Sequence, residues 1–286
     1  MAALTERDVR EERRSRTPPR GLTSDLRAIK VVWHREILRF ILDRPRMIAG
    51  VVQPVLYLFV MGTGLSAMVP VTSGVPFRTF LFPGVLCMAI LFTCFFSAGS
   101  LVWDRELGFM REMMVAPVRR TSILLGKCLG GTTVGTFQGL MMLVIGAIGG
   151  VPMSVELVVV IFLELLLICF AITAFGLALA TRVRSIQAFM ALMQMVLLPL
   201  FFASGALYPL EGLPAWLTVI TRFDPLSYVV APLRHAVLDA SGKAALAPMV
   251  TWGSFVVPIW LDLVIIGAYA IIALAVAVSH FSRDDA

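Results

Sequence analysis

Ser204 with His280, the pairs Gly126-Lys127 and Gly242-Lys243, and four cysteines are the residues whose types could carry catalysis or phosphate binding. A phosphate cradle needs GxxxxGK[ST]. Neither Gly-Lys pair has the upstream glycine or the following Ser or Thr. A serine and a histidine exchange a proton only in contact. Ser204 and His280 fall at opposite ends of apolar segments, about 30 Å apart across a bilayer, and Phe202 stands where a G-x-S-G nucleophile motif has glycine. HExxH is absent, and Cys87, Cys94, Cys128 and Cys169 form no Cys/His cluster of zinc-ligand spacing. They read as reduced packing residues. The chemistry left is electrostatic: Glu164 and Asp262 inside apolar runs, where burying charge is expensive, and a charged island, DRELGFMREMMVAPVRR, at 104–120.

The elements that hold these residues are set by composition. The chain has 286 residues, 59% hydrophobic and 15% charged, with mean hydropathy +0.90. That is an integral membrane protein. About 20 apolar residues cross a bilayer as a helix, and six stretches qualify, near 47–68, 79–102, 128–150, 157–181, 185–206 and 256–279. Of the 24 Lys and Arg, twelve lie in 1–46, five in 103–127, two in 182–184 and one is Arg283, while Arg78, Arg222, Arg234 and Lys243 lie between the alternate spans. Cytoplasmic loops retain positive charge, so both termini are expected inside. The net charge of +6 is then a topological signal with attraction to lipid headgroups, not a nucleic-acid footprint. Asn is absent, which excludes N-linked glycosylation, and the 21 Arg against three Lys suit a GC-rich bacterial genome.

Residues 1–23 are expected to be a disordered basic cytoplasmic tail, and 24–286 a single all-α transmembrane domain. From 25 to 43, Leu26, Ile29, Trp33, Ile37, Phe40 and Ile41 recur at helical spacing, with Arg27, Lys30, Arg35 and Arg39 mostly off that stripe. This predicts an amphipathic helix on the inner membrane surface, stopping before Pro45. Gly131, Gly135 and Gly139 put three small positions on one face of the third span. They suit either a dimer face or close packing within one subunit. Between spans five and six, Pro209, Pro214, Pro225 and Pro232 divide an apolar loop into pieces of about ten residues, too short to span and expected as re-entrant short helices.

In the island, Trp103, Leu107, Met110 and Met114 form one helical stripe, predicting a cytoplasmic helix over 103–116 that ends near Pro117. Such a helix could be an ordinary interfacial connector or the grip of a soluble partner. The charged helix, Pro117, Arg119-Arg120 and LLGK at 124–127, preceded by FPG at 82–84 and followed by SGALYPLEGLPAWL and FDPLSYVVAPLR, resemble the permease subunits of ABC type-2 exporters of the daunorubicin-resistance, nodulation-factor and polysaccharide-export branches. The resemblance covers residues 25–282. It implies two paired permeases, the second identical or a paralogue, each docking a separate ATP-binding subunit that holds ATP and Mg, with no cofactor or metal in this chain. The coupling surface it implies comprises Arg105, Glu106, Gly108, Arg111, Glu112, Pro117 and Arg119, with Trp33, Arg35 and Arg39 on the interface helix. The outer motif is Gly205, Pro209, Pro214, Pro225 and Arg234.

In that family spans two and five face the pathway. Here they offer Phe92, Phe95, Phe96 and Ser97, and Gln187, Met190, Gln194 and Leu197. Mobile Met with aromatics suits an apolar ligand, although a Met stripe equally suits a core. Glu164 and Asp262 are expected in the outer half of their spans, with Arg78 as a shared partner, in either a stabilising or a substrate-binding role. The implied function is ATP-driven export of a drug, lipid or glycolipid across the bacterial plasma membrane. The rival readings are an ion-gradient-driven secondary transporter, which usually has more spans and repeats, and an intramembrane enzyme.

Overall fold

The computed structural model describes residues 22–64, 76–110, 119–208, 214–244, 247, 250–252 and 255–283. In chain order these form α1 (Leu22–Leu42), α2 (Arg44–Gly64, with a π-helical turn at Tyr57–Met61), α3 (Phe77–Glu106), α4 (Arg120–Ile148), α5 (Val155–Ala180), α6 (Ile186–Ala203), α7 (Ala215–Phe223), α8 (Pro225–Asp239) and α9 (Ile259–Arg283). Helices α2, α3, α4, α5, α6 and α9 are long and apolar enough to cross a membrane. All six expected spans are present, with shifted ends. The largest shift is in α4, which begins eight residues before the expected 128. Two-residue strands β1 (Thr251–Trp252) and β2 (Phe255–Val256) pair antiparallel.

Helix α3 is the axis of the bundle: its apolar positions run round the whole circumference, so it is buried almost throughout. Helices α4, α5, α8, α2 and α6 pack around it, and α9 lies against α5. The glycine row settles between its two readings by contact. A Cβ on Gly131 would meet Thr173 at 2.5 Å, one on Gly135 would meet Cys94 at 2.4 Å, and one on Gly139 would meet Leu165 at 2.7 Å. All three partners belong to the same chain, so the row packs α4 against α3 and α5.

The break after α1 falls at Asp43, before Pro45 as expected: Asp43 accepts the Arg46 N–H (3.3 Å), and Pro45 occupies the first turn of α2, where no N–H is needed. Three sequence expectations need correction. Residues 103–106 are not the start of a separate helix. They are the last turn of α3, which stops where Gly108 takes φ +83°, and a new helical turn begins at Phe109. Pro232 does not divide the outer loop: α8 runs through it, held on both sides by α3 and α9. Arg78 pairs with neither buried acid. Its guanidinium lies over the Phe59 ring, 5.8 Å from the centroid.

Candidate functional site

At the end of the bundle that carries α1, three consecutive residues close α3, and each reaches a different neighbour. Asp104 is 1% exposed; Lys127 of α4, also 1% exposed, donates to its Oδ2 at 2.6 Å. The same ammonium donates to Glu36 Oε1 at 2.8 Å and to Ser100 Oγ at 2.9 Å, so all three of its hydrogens are used. Arg35 bonds Asp104, and Arg39 approaches the other carboxylate oxygen at 3.5 Å while lying over Trp103. Two buried acids thus face three bases, which is what makes charge tolerable at such depth.

Arg105 next in line donates to the carbonyls of Thr181 and Val183, at 3.2 and 3.1 Å, and so holds the connection from α5 to α6. Glu106 accepts the Ile186 N–H at 2.7 Å, satisfying an orphan donor at the start of α6, where Ser185 caps Ala188. Sequence reasoning singled out Arg105 and Glu106 but missed Glu36, Ser100, Asp104 and Lys127 as a network. A signal existed: Lys127 is the one lysine that directly abuts an expected span, and a buried ammonium demands acids nearby.

The approach of α1 depends on α4. A Cβ on Gly126 would sit 2.8 Å from Val32, and one on Gly130 would sit 2.6 Å from Glu36. Trp33 donates to Thr133 Oγ1 at 3.0 Å, and Arg119 pairs with Asp25 at 3.3 Å. The buried stripe is therefore Val32, Glu36 and Phe40, while Leu26 and Ile41 of the expected stripe are exposed. Arg111, Glu112 and Pro117 lie outside the described residues, as does Pro209 of the outer motif.

At the opposite end, Arg234 of α8 is 1% exposed and donates to the carbonyls of Gly205 and Ala206, both at 2.9 Å. Its guanidinium stacks 4.4 Å from the Phe80 centroid, and burial lowers its pKa to about 10, so it stays charged at neutral pH. Gly205 takes φ +70°, turning the chain after α6, and the turn presses on α3: a Cβ on Gly84 would lie 2.0 Å from Ala206 O. The FPG run at 82–84 and the SGALYP run at 204–209 therefore meet. Pro214 and Pro225 stand at the starts of α7 and α8, where Asp224 caps the Leu226 N–H at 2.9 Å.

The expected pathway residues divide. Phe95 and Leu197 line a cavity of about 310 Å³ between α3, α5, α6, α8 and α9. Phe92 and Phe96 are half-buried on another side of α3, Phe96 beneath Arg46 at 5.2 Å, and Ser97 is buried against the Gly131 position. Met190 is half-buried, and Gln187 and Gln194 lie on the exposed face of α6. Glu164 and Asp262 are buried, each with one carboxylate oxygen that meets no hydrogen-bond donor among the described residues.

Five membrane-length helices around a sixth, buried one, braced at one end by an ionic cluster and at the other by Arg234 on backbone carbonyls, define a polytopic helical membrane protein. Its family follows from comparison with known proteins. The chain belongs to the ABC-2 type transporter family, whose profile matches residues 27–238, and it is the permease component, the ATPase activity of this family residing in a separate subunit. It is similar to the transport permease ycf38 of Porphyra purpurea, 29% identical over 235 residues that cover 79% of this chain and 80% of that one. It also resembles the inner membrane transport permease YadH of Escherichia coli K12, 26% identical over 228 residues (78% and 86%). Nodulation protein J of Rhizobium leguminosarum bv. trifolii is 26% identical over 216 residues (73% and 82%).

Proposed function

We propose that this permease exports an amphiphilic, mainly apolar molecule (a drug, lipid or glycolipid) by alternating access. It works as a pair with a second permease copy, identical or paralogous, and two ATP-binding subunits supply ATP and Mg. Those subunits dock on the end that carries α1 and residues 105–119, which faces the cytoplasm of a bacterium with both termini inside. The Lys and Arg asymmetry supports this orientation, and YadH is itself described as an inner membrane permease.

The observation that carries the coupling reading is the run Asp104-Arg105-Glu106. Through it, a displacement at the end of α3 is felt by α1, α4, the α5–α6 connection and the start of α6. Closure of an ATPase dimer against this corner would move those helices together, favouring one of two bundle states. For the second copy, α2 and α6 are the least buried spans, and each exposes a glutamine, Gln53 and Gln194. An amide facing hydrocarbon is costly. Protein or a hydrated pathway on that side, reaching the half-buried Phe92 and Phe96 of α3, removes the cost.

The test is purification of the tagged permease from native membranes in mild detergent, with identification of its partners and an ATPase assay. A stoichiometric partner with Walker motifs, whose ATPase responds to substitution of Glu106, is the expected outcome. A permease that purifies alone, or an ATPase indifferent to Glu106, overturns the coupling reading.

A further inference from the structure

The bundle does not close between α6 and the packed pair α5 and α9, and the cavity of about 310 Å³ occupies that gap. That volume is at the lower end of the range for small-molecule sites. Its walls are apolar, with Leu200 of α6 facing Ile266 of α9. Three polar side chains gather at one end, Arg222, Tyr228 and Trp252, beside Phe223, and Tyr269, packed against Phe175, adds one further hydroxyl-bearing side chain to the lining. The Tyr228 hydroxyl is already committed, donating to Arg222 O at 2.7 Å and accepting from Trp252 Nε1 at 2.9 Å. Arg222 uses Nε on Thr251 O at 2.7 Å, and its terminal N–H groups meet no acceptor among the described residues.

The polar end coincides with a belt of exposed aromatic residues. Helix α7 shows Trp216, Val219, Ile220 and Phe223 outward at helical spacing, with Trp216 66% and Phe223 74% exposed. Trp252 and Phe255 of the hairpin and Trp260 at the start of α9 are exposed too. Tryptophan and neighbouring apolar side chains at one level mark where lipid headgroups begin. The cavity thus starts at headgroup level with a guanidinium and continues inward as an apolar slot.

We propose that this cavity holds one acyl chain of a membrane phospholipid whose phosphate sits on the Arg222 guanidinium. A guanidinium presents paired donors that match phosphate oxygens, and the apolar slot excludes a polar ligand from the deeper part. The bound lipid fills the gap beside α6 and tethers α7 and the hairpin to α9. The site concerns the resting permease; it shares Phe95 and Leu197 with the expected pathway and needs no ATPase partner.

The full chain, purified in mild detergent and stripped of lipid, is incubated with phosphatidylglycerol, phosphatidylcholine or diacylglycerol bearing the same acyl chains, and bound lipid is counted by native mass spectrometry. One phospholipid of either headgroup should be retained, with diacylglycerol held roughly tenfold more weakly, a difference of about one charge-assisted hydrogen bond. Arg222→Gln should bring the phospholipids down to the diacylglycerol level, and Leu200→Trp should reduce retention of all three. Diacylglycerol held as well as phospholipid, or full retention by Leu200→Trp, overturns the site. As a check independent of variants, a phospholipid with a diazirine at its acyl terminus is photolysed on the unaltered protein. Labels on the peptides around Leu200 and Ile266 are expected; labels confined to the outer faces of α2 and α9 overturn the proposal.

Discussion

The Lys127 ammonium lies 2.6 Å from the Asp104 carboxylate and 2.8 Å from Glu36, with all three residues buried. It joins α1, α3 and α4 at one point. Lys127→Met leaves two buried carboxylates short of their shared cation and should cost about 3–5 kcal/mol. Lys127→Met combined with Glu36→Gln and Asp104→Asn removes the charges together and should recover most of that loss. Thermal unfolding in detergent checks both; a single variant as stable as the wild type would show that the cluster does not hold α1 in place.

Glu106 accepts the first N–H of α6, so its loss tests coupling apart from folding. Glu106→Ala removes a cap worth about 1 kcal/mol and should lower the unfolding temperature only slightly. Stimulation of the partner ATPase should fall severalfold, because α6 no longer follows α3. Glu106→Gln keeps an accepting oxygen and should stay near wild type in both assays. Equal ATPase stimulation in all three proteins would remove Glu106 from the coupling path.

The six spans were legible because about 20 apolar residues in a row have one physical reading. Their ends were harder to read. The span expected from 128 begins just past Lys127, yet the helix continues back to Arg120, since Lys127 and the α1 face of this segment are covered by protein. The start of the 103–116 helix was misplaced because the Trp103, Leu107, Met110 stripe continues through Gly108, and only the positive φ there shows that the chain turns; 111–116 lie outside the described residues. Residues of the outer motif were identifiable by type, but the meeting of Gly84 with Ala206 is a contact between positions more than 100 residues apart. No local pattern encodes such a contact.

That contact carries a packing prediction. A methyl group on Gly84 would collide with a backbone oxygen at 2.0 Å, and the turn bearing it is fixed by both Arg234 hydrogen bonds. Gly84→Ala should therefore destabilise by about 1–3 kcal/mol or more, and Arg234→Met, which strands two buried carbonyls, by a similar amount. Arg234→Lys should recover only part, because an ammonium can donate to both carbonyls as the single Nη2 does but lacks the flat guanidinium that stacks on Phe80. Size-exclusion profiles and unfolding temperatures in detergent decide it; a well-behaved Gly84→Ala protein would mean the turn moves freely.

Asp224 gives the chain a pH dependence. Burial raises its pKa from 3.8 to about 7, against the opposing effect of the Leu226 N–H it accepts. Between those values the folded chain holds a proton that the unfolded chain has released, so stability falls as pH rises through that window. The contribution is present in full below pH 3.8, erodes as the pH climbs, and is gone above about 7. Asp224→Asn keeps an oxygen for the Leu226 N–H and carries no charge, so it should make the fall of the unfolding temperature between pH 5 and 8 shallower and exceed the wild type at pH 8. Asp224→Ala also loses the charge dependence, but it forfeits the cap and should sit lower at every pH by about 1 kcal/mol. An Asp224→Asn protein that keeps the wild-type slope would place the titrating group elsewhere.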